Sequence, residues 1–218
     1  MVTHRAKNLR AEQKEMTRES ILVAATKLLG QNGYAALRVA AVAQEAGVSL
    51  GGFLHHFPSK ESLVVAVLER LSANVTHLVE LDAAQDNHDV DILLLISKSA
   101  QRFYGSPEFL IYLDIFLSVR HHTLVGDAAI ALAISQRSAT EALWLPHVTA
   151  RGIDGREAIL LIRTIWGLAR GLAISSRVDA NAEHLAIMTL VTDALRMSHM
   201  TAGHSSSKSG KSAIGRQK

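Results

Sequence analysis

The sequence predicts an all-α protein in which a small N-terminal helix-turn-helix domain precedes a larger helical domain. Long segments repeat apolar residues with the three-to-four-residue period of an amphipathic helix, and none sustains the alternation that marks a half-buried strand. A glycine-containing turn at residues 47–49 separates two short helical segments, which is the arrangement of a helix-turn-helix. Hydrophobic residues make up 48% of the 218 residues, enough for a sizeable core. The whole chain is expected to form about nine helices.

The N-terminal domain is predicted to span residues 17–60, after a basic segment at residues 1–16 that is either a mobile arm or an extension of the first helix. Thr17 is placed to cap that helix, and Gly33 is placed to end it. Its apolar face carries Ile21, Leu22, Ala25, Leu28 and Leu29. Gly47 stands where a short second helix must stop with positive φ, and Ser49 is placed to cap the third helix. Phe53 and Phe57 are expected to anchor that third helix to the others.

A larger helical domain is predicted over residues 61–198, followed by a disordered basic tail at residues 199–218. Its helices are expected at 58–75, 89–104, from 106 onward, and at 125–148, 157–176 and 181–198. Ser106 and Pro107 form a helix start with a cap and a proline in the first turn. Asp154 and Glu157 have the spacing of a capping box, and Asn181 is placed to cap the last helix. Ser, Gly and Lys dominate the tail, which has no apolar period.

The predicted helix at residues 157–176 is apolar on nearly all sides. Its apolar residues are Ile159, Leu160, Leu161, Ile162, Ile165, Trp166, Leu168, Leu172 and Ile174. A helix without a wide polar face has to be covered on more than one side. In a chain of this size, that pattern indicates burial against both its own domain and a partner.

Charge and composition favour contact with phosphate at one end of the chain. Residues 1–60 contain eight basic residues (Lys and Arg) and four acidic ones (Asp and Glu). Residues 61–198 contain eleven basic and sixteen acidic residues. An electropositive N-terminal third on an acidic body suits binding of a polyanion there, although an unevenly charged solvated surface gives the same count. The chain has no cysteine, no signal-peptide pattern and no long uncharged apolar stretch, so a cytoplasmic protein without a membrane partner is expected.

The sequence carries no pattern for catalysis, and no cofactor is expected. Nucleophile-elbow, phosphate-loop and dinucleotide-binding motifs are all missing from it. The eleven histidines include two adjacent pairs, His55-His56 and His121-His122. Neighbouring residues on a helix point in directions about 100° apart, so one metal ion does not easily take both members of a pair. We therefore predict neither an enzyme nor a metal site.

Several residues of the helix-turn-helix segment together resemble the tetracycline-repressor (TetR/AcrR-like) family of transcriptional regulators. They are Gly33-Tyr34, Val42-Ala43, Ala46-Gly47-Val48-Ser49 and His55-His56-Phe57-Pro58-Ser59-Lys60-Glu61, with gap-free spacing from Thr17 to about Leu68. The resemblance implies a three-helix DNA-binding domain and a second domain that dimerises through its last two long helices. It also implies a small-molecule pocket in that second domain, whose occupation releases the operator DNA.

The resemblance assigns DNA contacts position by position. The residues assigned are Arg38, Ser49, Leu50, Gly51, Gly52, Leu54, His55, His56 and Lys60. Lys60 and Ser49 match phosphate contacts, while Leu50 stands where a polar base-reading residue is common and Leu54 replaces the usual tyrosine. Base reading is therefore expected to be sparse, with the arm residues Arg5, Lys7, Arg10 and Lys14 and the DNA shape contributing more. The two glycines either permit close approach to DNA or merely weaken the helix.

Aromatic residues in the second domain are candidates for the lining of a ligand pocket. The five selected are Phe103, Tyr112, Phe116, Trp144 and Trp166. Ligand pockets are mostly apolar with a few placed polar groups, although an ordinary core with the same residues fits as well.

The sequence thus predicts a homodimeric repressor that binds a pseudo-palindromic operator in double-stranded DNA and responds to a small hydrophobic effector. One alternative is a ligand-independent DNA-bound dimer that recruits a protein partner through its acidic body. Another is an all-α enzyme with an accessory basic domain, for which Asp114 is a candidate central acid.

Overall fold

The protein is all-helical, as the sequence predicts. The computed structural model describes the backbone of residues 2–179 and 183–209, and the side chains of residues 9, 11–179 and 183–198. Within these residues there are nine helices and no strand. The helices are α1 (Val2–Ala36), α2 (Val39–Glu45), α3 (Leu50–His56), α4 (Lys60–Ala83), α5 (Ile92–Tyr104), α6 (Pro107–Ser118), α7 (Leu124–Thr149), α8 (Gly155–Ser175) and α9 (His184–Ser209).

The chain forms two compact units, and their division differs from the expected boundary at residue 60. Unit 1 comprises Met1–His77 with Ser106–Ala139, and unit 2 comprises Leu78–Gly105 with Thr140–Lys218. Unit 1 takes in α6 because Ile111 and Ile115 of that helix are buried in the same apolar core as Ile21 and Phe53. The helix-turn-helix therefore shares its core with a helix that lies about fifty residues further along the chain.

Helix α1 is longer than predicted. It begins at Val2, so the residues expected to form an arm are continuous with the first helix. Thr17 lies inside this helix, where its hydroxyl donates to the carbonyl of Gln13 at 2.9 Å, so the prediction that it caps the helix is wrong. Residues 2–16 contain no glycine or proline to stop a helix. Gly33 does end the regular helix, with φ 75° and ψ 171°.

Two predicted helix starts are confirmed by the side chains that cap them, and a third helix begins later than expected. Ser106 accepts from the backbone N–H of Phe109 at 3.2 Å, and Pro107 occupies the first turn of α6. Asp154 accepts from the backbone of the first turn of α8, as a capping residue should. Helix α5 begins at Ile92 rather than near Asp89, because Asp91 is the residue whose carboxylate caps it.

The end of the chain departs from the expected disordered tail. Helix α9 continues from His184 to Ser209, past the predicted boundary at Ser198. No proline interrupts this stretch, and a helix that is already nucleated extends at little cost. Residues 210–218, and the predicted cap Asn181, lie outside the described residues.

In unit 2, a buried carboxylate ties the connection between α4 and α5 to the end of α7. The Asp86 side chain is 1% exposed and accepts two hydrogen bonds from the Arg151 guanidinium, at 2.5 and 2.9 Å. The Nδ1 atom of His147 lies 2.8 Å from the same carboxylate. The bonded Arg151 holds the pKa of Asp86 well below its usual range, with a smaller contribution from His147. Asp86 is therefore a charged, fully partnered group at neutral pH.

Two helices, α4 and α8, are long and apolar enough to cross a membrane by length and composition alone. The core helix of a water-soluble protein passes the same test. In α4, the residues Leu63, Val64, Val67 and Leu68 belong to the apolar core of unit 1. In α8, six residues are buried, from Ala158 to Ala169. The N-terminal part of α4 therefore packs in unit 1, and α8 packs in unit 2.

Candidate DNA interface

Helices α2 and α3 form a helix-turn-helix whose turn is fixed by two residues. Gly47 adopts φ 69°, in the left-handed region that glycine enters at little cost, and ends α2. The Ser49 hydroxyl accepts from the backbone N–H of Gly52 at 3.1 Å and caps α3. Both local predictions are confirmed, because turn and cap signals act between residues close in sequence.

Two phenylalanines anchor α3 in the core, whereas two leucines of the same helix are exposed. Phe53 and Phe57 are buried, with ring centroids 6.0 Å apart. Leu50 is 51% exposed and Leu54 is 46% exposed, although leucine is normally buried. The start of α3 therefore presents apolar side chains to the exterior, as expected of a sparse reading face.

The two glycines of α3 have different surroundings. A Cβ atom at Gly51 would meet no atom within 4 Å, so nothing in the protein requires a glycine there. A Cβ atom at Gly52 would lie 3.3 Å from the Ser49 hydroxyl, which is a tight contact with the helix cap. Gly52 is thus partly explained by the local fold, whereas Gly51 is not.

The C-terminal end of α3 lies among cationic groups of α1. His55 and His56 have ring centroids 5.6 Å apart. Burial lowers the pKa of His56, and the neighbouring His55, Lys14 and Arg18 lower it further. The Arg18 guanidinium also lies 5.4 Å from the Phe57 ring centroid. A neutral His56 is favoured, so Lys14 and Arg18 provide the permanent positive charge here.

The side chains of the predicted arm residues Arg5, Lys7 and Arg10 lie outside the described residues.

Lys60 and Arg38 form a second cationic group, at the start of α4 and α2. Lys60 donates to the Tyr34 carbonyl at 2.7 Å, and its Nζ atom lies 4.3 Å from the Tyr34 ring centroid. Burial lowers the pKa of Lys60, and the nearby Arg38 lowers it further while Glu61 opposes this. Arg38 is exposed and donates to the carbonyls of Ala35 and Leu37. Lys60 therefore has a structural contact that the sequence did not predict.

Asp114 has a structural role in this region that the sequence did not predict. Its carboxylate accepts from the Tyr34 backbone N–H at 2.7 Å, immediately after the left-handed Gly33. Asp114 and Lys60 thus hold the N–H and the carbonyl of one residue, at the junction of α1 and α2. The sequence had offered Asp114 only as a candidate catalytic acid. The local signal for the junction was Gly33, but nothing in it indicated a partner eighty residues away.

The five aromatic residues predicted to line a pocket fall into two groups in the two units. Phe103, Trp144 and Trp166 belong to unit 2, where the Phe103 and Trp166 rings are 6.0 Å apart. Tyr112 and Phe116 belong to unit 1, with stacked rings 6.1 Å apart. The Tyr112 hydroxyl donates to the carbonyl of Ala129 at 2.9 Å. Trp144 is completely buried and Trp166 is 8% exposed.

An outward-facing second helix, set on a capped tight turn and flanked by cations, defines a helix-turn-helix transcriptional regulator. Residues 21–67 match the family described as bacterial regulatory proteins, tetR family. This helix-turn-helix segment is therefore that of the TetR family of transcriptional regulators.

Known relatives agree with this assignment. The chain is 29% identical over 166 residues to the HTH-type transcriptional regulator CymR of Pseudomonas putida, covering 76% of this chain and 82% of that protein. Two solved structures share the fold. The FadR regulator of Bacillus subtilis, in complex with stearoyl-CoA, has a TM-score of 0.59 at 18% identity, covering 81% of this chain and 96% of that one. The multidrug binding protein EbrR, complexed with imidazole, has a TM-score of 0.60 at 22% identity, covering 82% and 88%.

Proposed function

We propose that this protein is a homodimeric, cytoplasmic repressor that binds a pseudo-palindromic operator and releases it on binding a small hydrophobic effector. The observation that supports this most directly is the exposed part of α3, where the side chains of Leu50 and Leu54 are half-exposed and the surroundings of Gly51 are open. A recognition helix of this kind enters the major groove, and a symmetric dimer places two such helices on two half-sites.

The DNA contacts are proposed to divide into two classes. Leu50, Gly51 and Leu54 would face base edges, where leucine can contact the methyl group of thymine. Ser49, Arg38, Lys60 and the two histidines would face the phosphate backbone. In this arrangement phosphate contacts supply most of the affinity, and sequence preference depends on few bases and on DNA shape.

The second copy is proposed to cover an exposed stripe of α8. Leu160 is 55% exposed, Ile174 is 42% exposed, and between them Thr164, Gly167 and Gly171 continue the same helical face. The opposite face of α8 is buried in unit 2. A Cβ atom at Gly167 or Gly171 would meet no atom within 4 Å, so the two glycines form a shallow groove on the surface. Helix α9 adds exposed leucines at positions 185 and 190.

The effector is proposed to bind among the aromatic residues. FadR of Bacillus subtilis was solved with stearoyl-CoA and EbrR with imidazole, so proteins of this fold hold small molecules. Phe103, Trp144 and Trp166 in unit 2 are the first candidates, and Tyr112 and Phe116 in unit 1 are the second. Occupation of such a site would alter the DNA affinity by favouring one conformation of the dimer.

The proposed function is tested by a footprint on the DNA upstream of the protein's own gene. We expect two protected half-sites separated by a whole number of helical turns, of about 10 base pairs each. The footprint is then repeated with a panel of hydrophobic and cationic small molecules. Loss of protection with one compound supports an effector-released repressor, whereas protection that survives every compound contradicts the ligand-responsive part of the proposal.

Lys60→Gln is expected to weaken binding to all DNA sequences and to reduce the slope of log affinity against log salt concentration by about one unit. Glutamine retains a donor for the Tyr34 carbonyl but removes the charge. The variant therefore tests the phosphate contact without removing a hydrogen bond from the fold. Lys27→Gln is the control, since Lys27 is a unit 1 lysine paired with Glu45. Salt titrations by fluorescence anisotropy would refute the contact if both variants had the slope of the wild type.

Gly51→Ala distinguishes the two explanations for the glycine in α3. Alanine is favoured over glycine in a helix by up to about 1 kcal/mol, and the space around Gly51 is open, so the free energy of unfolding should rise. If DNA approaches the backbone closely here, DNA affinity should fall by about tenfold at the same time. Gly155→Ala is the matched control, with open surroundings and no expected effect on DNA. Unchanged or tighter DNA binding by Gly51→Ala would show that the glycine only weakens the helix.

A further inference from the structure

In unit 2, four neutral buried polar groups have no hydrogen-bond partner among the described residues, whereas the buried Asp82 carboxylate is paired with Arg102 at 2.6 Å. They are the indole N–H groups of Trp144 and Trp166 and the hydroxyls of Ser99 and Thr140. Each of these residues is at least nine-tenths buried. Buried polar groups in native proteins are nearly always hydrogen-bonded, so a set of four in one unit requires an explanation.

The two hydroxyls differ from several other helical hydroxyls of this chain, which bond to a carbonyl of their own helix. Thr192 is 3% exposed, and its hydroxyl donates to the carbonyl of Met188 one turn earlier, at 2.7 Å. Thr26, Thr149 and others make the same bond within their own helices. Ser99 and Thr140 are equally buried in helices but do not make it. Their hydroxyls therefore remain available to a bound molecule.

The four groups lie at neighbouring levels of three helices. Glu141 of α7 and Arg163 of α8 are joined at 2.7 Å, and the short connection at 150–154 makes these helices antiparallel. In this register Thr140 lies opposite residue 164, which is two residues, or about 3 Å along the helix axis, from Trp166. Trp144 lies opposite residue 160, which is six residues, or about 9 Å, from Trp166. Ser99 lies one turn before Phe103 on α5.

Aromatic rings surround the Trp166 end of this set. The Trp166 ring lies 6.0 Å from that of Phe103 and 5.6 Å from that of Tyr104. Burial raises the pKa of Tyr104, which keeps its hydroxyl neutral. Rings in this arrangement provide flat apolar surfaces of the kind that line pockets for ring-bearing molecules.

We infer that unit 2 binds a neutral, ring-bearing molecule whose polar atoms are hydrogen-bond acceptors, such as an aryl ketone or ester. The regulatory role of such a ligand rests on the proposed function. An indole N–H group can only donate a hydrogen bond, and a hydroxyl can donate one as well as accept. A ligand that partners the two indoles therefore needs hydrogen-bond acceptor atoms. No Lys, Arg or His is buried among the described residues, so a carboxylate here would lack a buried counter-charge.

Intrinsic fluorescence tests this inference, because Trp144 and Trp166 are the two tryptophans of the chain. The probes are two size-matched sets: acetophenone, benzoate and ethylbenzene, and 2-acetylnaphthalene, 2-naphthoate and 2-ethylnaphthalene. We expect the ketone of at least one set to quench fluorescence with about tenfold higher affinity than its carboxylate and hydrocarbon counterparts. Tighter binding of a carboxylate or a hydrocarbon would overturn the inferred class, and no quenching by any probe would overturn the site.

Variants of the hydroxyls locate the site. Thr140→Val should reduce the ketone affinity by about fivefold without changing that of the hydrocarbon. Thr192→Val is the control, because its hydroxyl is equally buried but already bonded. Equal effects of the two variants would overturn the assignment of Thr140.

The same probes added to the complex with DNA separate this inference from the proposed function. DNA release by a carboxylate but not by the ketone would overturn the inferred ligand class, although it would agree with a ligand-responsive repressor. Ketone binding without a change in DNA affinity would support the inferred site but contradict ligand-responsive repression.

Discussion

Gly171→Leu is expected to convert the proposed dimer to monomers and to reduce its affinity for the proposed operator by about 10²–10⁴-fold, the usual gain from linking two binding modules. Gly171 is exposed on α8, between Gly167 and Ile174 on the face left open by the rest of unit 2. A leucine side chain there meets nothing within 4 Å of its Cβ in the protomer, so the fold should tolerate it. Against a second helix, the same side chain fills the groove through which two backbones approach.

Gly155→Leu is the matched control for this experiment. Gly155 lies on the same helix with equally open surroundings, and about 160° around the helix axis from Gly171. Sedimentation equilibrium should therefore find Gly155→Leu dimeric and Gly171→Leu monomeric, with both retaining the helical circular dichroism of the wild type. A dimeric Gly171→Leu protein would exclude this face of α8 from the interface.

Asp86→Ala is expected to lower the free energy of unfolding by about 3–5 kcal/mol at neutral pH. The substitution removes a carboxylate that is 1% exposed and leaves Arg151, which is 18% exposed, without its main partner. Removing one member of a buried pair is costly because the remaining charge stays desolvated. Chemical denaturation followed by circular dichroism measures the loss.

Two comparisons test the physical reason for that loss. Asp193→Ala breaks a pair of half-exposed side chains with Arg196 in the same unit and should cost less than about 1 kcal/mol. The pKa of Asp86 is lower in the folded protein than in the unfolded chain, so its contribution is present above about pH 4 and is lost as the pH falls further. The effect of Asp86→Ala should shrink below that pH. A penalty that stayed constant down to pH 3 would contradict an electrostatic origin.

Features encoded by neighbouring residues were predictable from the sequence. The helical period predicted the fold class, and the caps Ser49, Ser106 and Asp154 fixed the starts of α3, α6 and α8. Gly47 predicted the turn because glycine enters the left-handed region at little cost, and it adopts φ 69° directly after α2. Thr17 misled the interpretation of α1, since a residue that caps well also occurs inside helices when its hydroxyl bonds to the preceding turn.

Features that depend on distant contacts were not predictable. The membership of α6 in unit 1 rests on apolar side chains that meet α1 only after folding. Asp114 and Asp86 find their partners eighty and sixty-five residues away, and no local pattern distinguishes them from surface acids. The glycine groove of α8 likewise becomes apparent only when the buried face of that helix is known.

The central claim, that α3 reads DNA, is tested most directly by photocrosslinking. p-Benzoylphenylalanine is placed at Leu54 in one protein and at Leu117 in another, because both leucines are exposed in unit 1, at 46% and 73%. Each protein is irradiated with the footprinted DNA. We predict crosslinks to the half-sites from position 54 and none above background from position 117. Equal yields from the two positions, or crosslinks from position 117 alone, would contradict the claim.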